Sequence, residues 1–339
     1  MQSTRLFLSL SLCILSHSQN VPVVINTWFV SNATQAAWEE LTVNGGSAID
    51  AVVAGCSQCE ASQCRGTVGF GGSPDENGET TLDAMIMDGK TMDVGAVAAL
   101  RRVKSAIAVA RAVMDYTEHT MLAGDQATSF AKSMGFTVES LTTNSSYKDW
   151  RTWVKNKCQP NFRQNVVPDP QTSCGPYKPN KEIELQTSRK KLGISPDNHD
   201  TIGMVAIDKR GDISAGASTN GLNHKVPGRV GDSPVMGAGS YAMNGVGGAA
   251  CTGDGDIMMR FLPSFQAVMM MKSGMEPLLA LKTAMAPIIQ YYPSFFGAMV
   301  AVNNNGTYAA VCYGYTTFPY CVINPTLKEV KVLSVDCMK

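Results

Sequence analysis

Apolar residues form two blocks around a Lys209-Arg210-Gly211-Asp212 bend, Ile202 to Ile207 before it and Ile213 to Ala217 after it. Continuous apolar arms joined by a Gly-Asp pair predict a buried β-hairpin over 199–220, with Thr201 at the mouth of its first strand. Upstream, Val23 to Asn26 reads as a buried strand. Thr34 to Leu41 and Ser47 to Glu60 read as helices separated by Asn44-Gly45-Gly46, and Leu82 to Met87 as a strand. From Val97 to Met114, Arg and Lys fall between apolar residues at helical spacing, which predicts one long helix. Downstream, Asp256 to Ser273 reads as a helix bent at Pro263, and Pro277 to Ala286 as a helix ended by Pro287. The strand pattern returns over Phe296 to Val302, Thr307 to Tyr313 and Glu329 to Val335. Helices, then antiparallel strands, then helices again predict a layered α+β domain without internal repeats. The stretch from Asn144 to Asn198 breaks the pattern: rich in Lys, Asn, Pro and Gln, it predicts an exposed segment, loosely ordered near its end.

Composition narrows the classes. The chain has 339 residues, 44% of them apolar and 17% charged, with no net charge. That is enough apolar material for a sizeable core, and there is no basic excess to neutralise phosphates, so nucleic acid is not an expected partner. Residues 1–18 have the form of a secretory signal: Arg5, an apolar run from Leu6 to Leu15, then small residues flanking His17. That run is too short to span a bilayer, no later stretch is long and apolar enough, and no membrane partner is expected. The ten cysteines lack the repeated spacing of a zinc array; Cys56-x-x-Cys59 occurs once. In the oxidising compartment that a signal implies, cysteines can pair, but spacing alone does not give the pairing. Sequons stand at Asn32, Asn144 and Asn305.

Several constellations invite chemistry and fail on context. Gly245-x-Gly247-x-x-Ala250 lacks the strand and βαβ unit of a dinucleotide loop, no Gly-x-Ser-x-Gly elbow is present, and Asp254-x-Asp256 lacks the rest of a calcium loop. His119, His199 and His224 are scattered, so neither metal nor cofactor is expected. The Asp200-Thr201 step has two readings. Threonine is a common strand residue, and the step alone is ordinary structure. If the chain is cut before Thr201, however, the freed α-amino group lies beside its own hydroxyl and can act as general base, so one residue supplies nucleophile and base.

Four segments in order tip the balance: Asp200-Thr201, Ser218-Thr219-Asn220-Gly221, Gly228-Arg229-Val230-Gly231-Asp232-Ser233-Pro234, and Cys251-Thr252-Gly253-Asp254-Gly255-Asp256. With Asn26-Thr27-Trp28, Asn32-Ala33-Thr34, Gly69-Phe70-Gly71-Gly72-Ser73-Pro74 and Asp83 to Gly89 upstream, the set resembles the glycosylasparaginases of the N-terminal nucleophile hydrolase superfamily over nearly the whole chain. Plant-type asparaginases and isoaspartyl peptidases usually carry Gly-Thr at the cut, so Asp-Thr favours the glycosylasparaginase branch. The resemblance implies a four-layer αββα sandwich cut after Asp200 into subunits 19–200 and 201–339. It implies hydrolysis of the amide between asparagine and N-acetylglucosamine, with Thr201 as nucleophile and Thr219 beside it. Arg229 and Asp232, with Val230 and Gly231 between them, would hold the substrate's α-carboxylate and α-ammonium. The Thr252 hydroxyl and Gly253 N–H would form the oxyanion hole, with Asp254 and Gly255 along the substrate path and Trp28 and Thr67 near the nucleophile or sugar.

Without the resemblance, Arg229 and Asp232 read as a surface ion pair, and Thr252-Gly253 as a turn. The resemblance also implies disulfides Cys59–Cys64, Cys158–Cys174 and Cys312–Cys337, leaving Cys56, Cys251 and Cys321 as small buried groups. It further implies a dimer of cleaved pairs, in the lysosome or outside the cell. Met243-Asn244 and Asp254 depart from close relatives and bear on fine substrate preference. Two other functions fit the same fold: a secreted non-catalytic binding protein, and a β-aspartyl peptidase or asparaginase.

Overall fold

The computed structural model describes residues 20–181 and 200–339. The expected signal segment, His199 and the end of the polar stretch lie outside the described residues.

In chain order the strands are β1 Val23–Thr27, β2 Thr81–Asp88, β3 Val94–Arg101, β4 Met121–Ala123, β5 Val166–Val167, β6 Lys178–Pro179, β7 Ile202–Ile207, β8 Ile213–Thr219, β9 Ser240–Met243, β10 Gly247–Gly253, β11 Gly297–Asn303, β12 Tyr308–Tyr313, β13 Thr317–Ile323 and β14 Lys331–Asp336. The helices are α1 Ser31–Glu39, α2 Ala48–Ala61, α3 Ala106–Tyr116, α4 Gly124–Ser133, α5 Asn144–Lys155, α6 Gly255–Phe261, α7 Pro263–Lys272 and α8 Pro277–Tyr291. One sheet has eight strands in the order β14-β13-β1-β7-β8-β2-β3-β4, and a second has four in the order β12-β11-β10-β9. The predicted hairpin is β7 and β8, paired antiparallel from Ile202 against Ser218 to Ile207 against Ile213.

Three apolar layers hold the sandwich together. Met204 and Ala206 of β7 face α1 to α3, packing with Ala33, Val52 and Ile107. The alternate residues Val205 and Ile207 face the second sheet, where they meet Ala250, Val300 and Val302. Ala249, Cys251 and Met299 on the far side of that sheet pack under α7 and α8 with Val268, Leu281 and Ile288. A strand buried on both faces shows no polar alternation, which is why the hairpin arms read as unbroken apolar runs. The sheets come very close beside Thr201. A Cβ at Gly203 would lie 2.9 Å from the Ala250 Cβ and 3.0 Å from the Cys251 carbonyl, so only glycine fits. The result is the mixed α+β fold expected, with helices on both outer faces of two stacked sheets.

Several elements differ from the sequence reading. The long helix expected over Val97 to Met114 is a strand, β3, followed by a turn at Arg102 (φ 61°) and then α3. A short Ala/Val run suits either state locally, and pairing of β3 with β2 decides it. Pro263 starts a new helix rather than bending one, because Leu262 at φ 52° breaks the chain direction. Pro287 does not end α8, which continues to Tyr291 with Ile288 fully buried, so packing outweighs the lost hydrogen bond. The polar stretch opens with an ordered helix, α5, started by a Thr143–Ser146 capping box. Trp153 of that helix is buried and stacks on His224, 4.8 Å between ring centres. Disulfides join Cys59 to Cys64, Cys158 to Cys174 and Cys312 to Cys337, while Cys56, Cys251 and Cys321 are buried thiols. Asn32, Asn144 and Asn305 are all exposed.

Candidate active site

Thr201 stands just before β7, fully buried, where the ends of β1, β8 and β10 converge. Threonines from all three strands surround it. The Thr27 hydroxyl donates to the Thr201 carbonyl at 2.8 Å and accepts from the Gly203 N–H at 2.9 Å, replacing the ladder bond that β1 and β7 would otherwise make there. The Thr219 hydroxyl, at the end of β8, donates to the Asp200 carbonyl at 2.9 Å. From the second sheet, the Thr252 hydroxyl accepts from the Thr201 N–H at 3.2 Å and from the Trp28 indole N–H at 3.0 Å. With both lone pairs engaged, the Thr252 O–H is left to donate to a third group. The Thr201 hydroxyl has no hydrogen-bond partner among the described residues, although it is buried. A buried polar group without a partner costs roughly 1–3 kcal/mol, so an unpaired hydroxyl in the middle of the molecule is itself a functional signal.

The Asp200 carboxylate accepts from Arg65 Nε at 2.7 Å. The loop carrying Arg65 is tied to the end of β8: the Asn220 N–H donates to the Thr67 carbonyl at 2.7 Å, and its side-chain amide donates to the Gly66 and Gly69 carbonyls. Thr67 therefore lies beside Thr219, with its own hydroxyl buried and unpartnered among the described residues.

Arg229 and Asp232 lie on the loop between β8 and β9. They do not pair with each other as a surface ion pair would. Arg229 Nη2 meets Asp256 at 3.0 Å, while Nε and Nη1 have no partner among the described residues. Asp232 is 1% exposed, and neither carboxylate oxygen has a partner among other described residues. Burial therefore pushes its carboxyl up to about 7, with the Arg229 charge pulling partly against it. Gly255 lies against this carboxylate, where a Cβ would collide with it. The Asp83 carboxylate braces the loop, accepting from the Gly231 N–H at 3.0 Å and from the Ala99 N–H at 2.7 Å. Val230 is half-buried, and Gly253 leaves no room for a side chain beside Gly297. Asp254 caps α6, its side chain accepting from the Ile257 N–H.

A row of threonines about the Asp200–Thr201 peptide, beside one guanidinium and one carboxylate with valences open among the described residues, suits acyl chemistry on a small zwitterion. Among the described residues no group of three or more His, Cys, Asp or Glu side chains could hold a metal ion, and no helix is long and apolar enough to cross a membrane. Asn244 lies apart from the site, bonded to Asp212 and the Ile213 N–H at the hairpin turn. The sequence reading missed Arg65, Asp256, Asp83 and Lys225. Lys225 is 1% exposed, its ammonium donating to the Asn220 carbonyl at 2.6 Å, and burial pushes it down to about 8. For Asp83 and Lys225 the available signal was a charged residue inside an apolar or motif-dense run. Asp256 likewise closed a motif segment, and for Arg65 there was no signal, since its partner lies 135 residues away in sequence.

The model of the family described as asparaginase matches residues 12–332. The N(4)-(beta-N-acetylglucosaminyl)-L-asparaginase of Mus musculus is 52% identical over 336 residues, covering 98% of this chain and 97% of the mouse protein. That of Rattus norvegicus is 54% identical over 334 residues, covering 98% and 96%. A putative N(4)-(beta-N-acetylglucosaminyl)-L-asparaginase of Drosophila melanogaster is 54% identical over 312 residues, covering 90% and 79%.

Proposed function

The chain belongs to the asparaginase family, and from that premise we propose that it is an amidohydrolase that cuts itself between Asp200 and Thr201 and then hydrolyses the asparagine–N-acetylglucosamine amide. The observation that carries this reading is the set of hydroxyl groups about the Asp200–Thr201 step, with the Thr201 hydroxyl buried and uncommitted among them.

In the first stage Thr201 Oγ attacks the Asp200 carbonyl carbon. The Thr219 O–H already donates to that carbonyl oxygen and opposes the charge that develops there. The Asp200 carboxylate is the nearby base, the peptide becomes an ester, and water releases subunits ending at Asp200 and beginning at Thr201. In the second stage the freed Thr201 amine takes the proton of its own hydroxyl. Arg229 receives the substrate's α-carboxylate and Asp232 its α-ammonium, each with valences open for the purpose. The Thr252 O–H and Gly253 N–H stabilise the oxyanion, Trp28 holding the Thr252 hydroxyl in orientation. Thr201 Oγ bonds to the substrate's side-chain carbonyl carbon, the amide C–N bond breaks as the Thr201 ammonium gives its proton to the departing glycosylamine, and water then releases aspartate from the ester.

Purified protein is expected to run as two chains, the second starting at Thr201, and to release aspartate from glycosylasparagine faster than from isoaspartyl dipeptides or free asparagine. Faster turnover of those alternatives would make it a β-aspartyl peptidase or asparaginase. An intact chain with no turnover would make it a binding protein on the same fold.

Asp232 sets a pH dependence. In the empty site its carboxyl titrates near 7, so below that pH it becomes neutral and loses its attraction for an ammonium group. KM is expected to rise about tenfold per pH unit below 7 and to level off above it. In the loaded site the bound ammonium keeps Asp232 ionised, so kcat should not share this limb. A KM that stays flat from pH 8 to pH 5 would contradict the assignment.

A further inference from the structure

We propose that Arg65 is a positioning residue for the self-cleavage step, acting through the carboxylate of Asp200; the inference rests on the two-stage reading above. Arg65 Nε lies 2.7 Å from Asp200 Oδ2, and the Asp200 side chain is only 7% exposed. The guanidinium is not a loose surface cation. It lies over the Trp28 ring at 4.2 Å and the Phe29 ring at 4.9 Å, so its plane is fixed on two aromatic faces. The backbone that carries it is fixed as well. Gln63 and Arg65 both have left-handed φ (51° and 55°), and the loop is pinned by the Cys59–Cys64 disulfide and by Asn220 on the Gly66 and Thr67 carbonyls.

Asn220 follows Thr219 directly, so the loop that holds the Asp200 carboxylate and the hydroxyl that holds the Asp200 carbonyl belong to one rigid unit. Asp200 is thus gripped at both its oxygen-bearing groups from separate directions, which limits rotation about its Cα. That orientation presents its carbonyl carbon to a hydroxyl that is otherwise uncommitted. Arg65 forms and breaks no covalent bond. In the step it serves, the Thr201 Oγ–C bond to Asp200 forms, the Asp200 C–N bond breaks, and the hydroxyl proton ends on the released amine. Water then divides the ester into the Asp200 carboxylate and the Thr201 hydroxyl. Misplacing reacting groups by about 1 Å is worth on the order of a hundredfold, so the loss of one grip should be large and still measurable.

The test follows cleavage of newly synthesised full-length chain by electrophoresis, for wild type, Arg65→Met, Arg65→Lys, Asp200→Asn and the Arg65→Met/Asp200→Asn double variant, with thermal melts of each. Arg65→Met is expected to cut about 10- to 100-fold more slowly, Arg65→Lys to recover part of the rate by keeping the charge, and Arg65→Met to add nothing in the Asp200→Asn background. Wild-type cutting by a folded Arg65→Met, or equal slowing with and without the Asp200 carboxylate, would overturn the proposal. So would a slowing that follows melting temperature rather than charge across the Met and Lys variants. Cutting in Thr201→Ala, or none in wild type, would instead overturn the two-stage reading and this proposal with it.

Discussion

Thr201→Ala is expected to yield a folded, uncut chain with no measurable release of aspartate from glycosylasparagine. The side chain lost is small, and its hydroxyl makes no hydrogen bond among the described residues, so its removal leaves no orphaned partner and should not lower stability. Both chemical stages lose their nucleophile. Where a nucleophile and its base act as a unit, deletion of one member removes on the order of 10⁴-fold or more of the rate, and here the cut that frees the base also fails. Thr201→Ser retains the hydroxyl and should still divide, at a lower rate. N-terminal sequencing and mass spectrometry decide the matter. A Thr201→Ala chain that splits at the same bond would remove this threonine from the first stage.

The second large effect belongs to Arg229. Its contact with Asp256 fixes the guanidinium while Nε and Nη1 stay open among the described residues, so the substrate's carboxylate supplies partners the fold leaves unmade. Truncating one member of a buried charged pair costs about 2–5 kcal/mol, which corresponds to about 30- to 5,000-fold in kcat/KM. Arg229→Leu is expected in that range, with self-cleavage unchanged because the hydrogen bond of Arg229 goes to Asp256 and not to a group that holds the Asp200–Thr201 step. Arg229→Lys should recover little, since an ammonium cannot replace the planar fork and cannot hold Asp256 and a carboxylate together. Steady-state kinetics on glycosylasparagine test it, with gel analysis confirming normal processing. A loss below about threefold would place the α-carboxylate elsewhere.

Legibility along the chain follows the range of the interactions involved. The hairpin was readable because its turn and both arms are contiguous, and because burial on two faces leaves an apolar run without interruption. The start of the helix expected over Val97 to Met114 was misread because Val94–Arg101 could satisfy either period; the partner that settles it, β2, owes its own place to β8, more than a hundred residues on. The capping pair Thr143 and Ser146 was present in the sequence, and its neighbours' polarity concealed it. Of the site, Thr201, Thr219, Thr252, Arg229 and Asp232 were legible through the family resemblance, since without it Arg229 and Asp232 read as a surface ion pair and Thr252 as part of a turn. Thr27 was visible only as part of a motif, its bridging contact with Thr201 and Gly203 arising from sheet register.

The sequence by itself determined the order of the apolar segments, the bend that makes the hairpin, the residue types required for acyl chemistry and the family to which the chain belongs. Only the tertiary structure decided that Arg65 grips Asp200, that Thr219 meets the Asp200 carbonyl, and that Arg229 turns to Asp256 and leaves Asp232 unpaired with it. The physical reason is range. Turn chemistry and apolar periodicity act over a few neighbouring residues, whereas these contacts join positions 19 to 135 residues apart and exist only once strands, loops and helices from separate parts of the chain have come together.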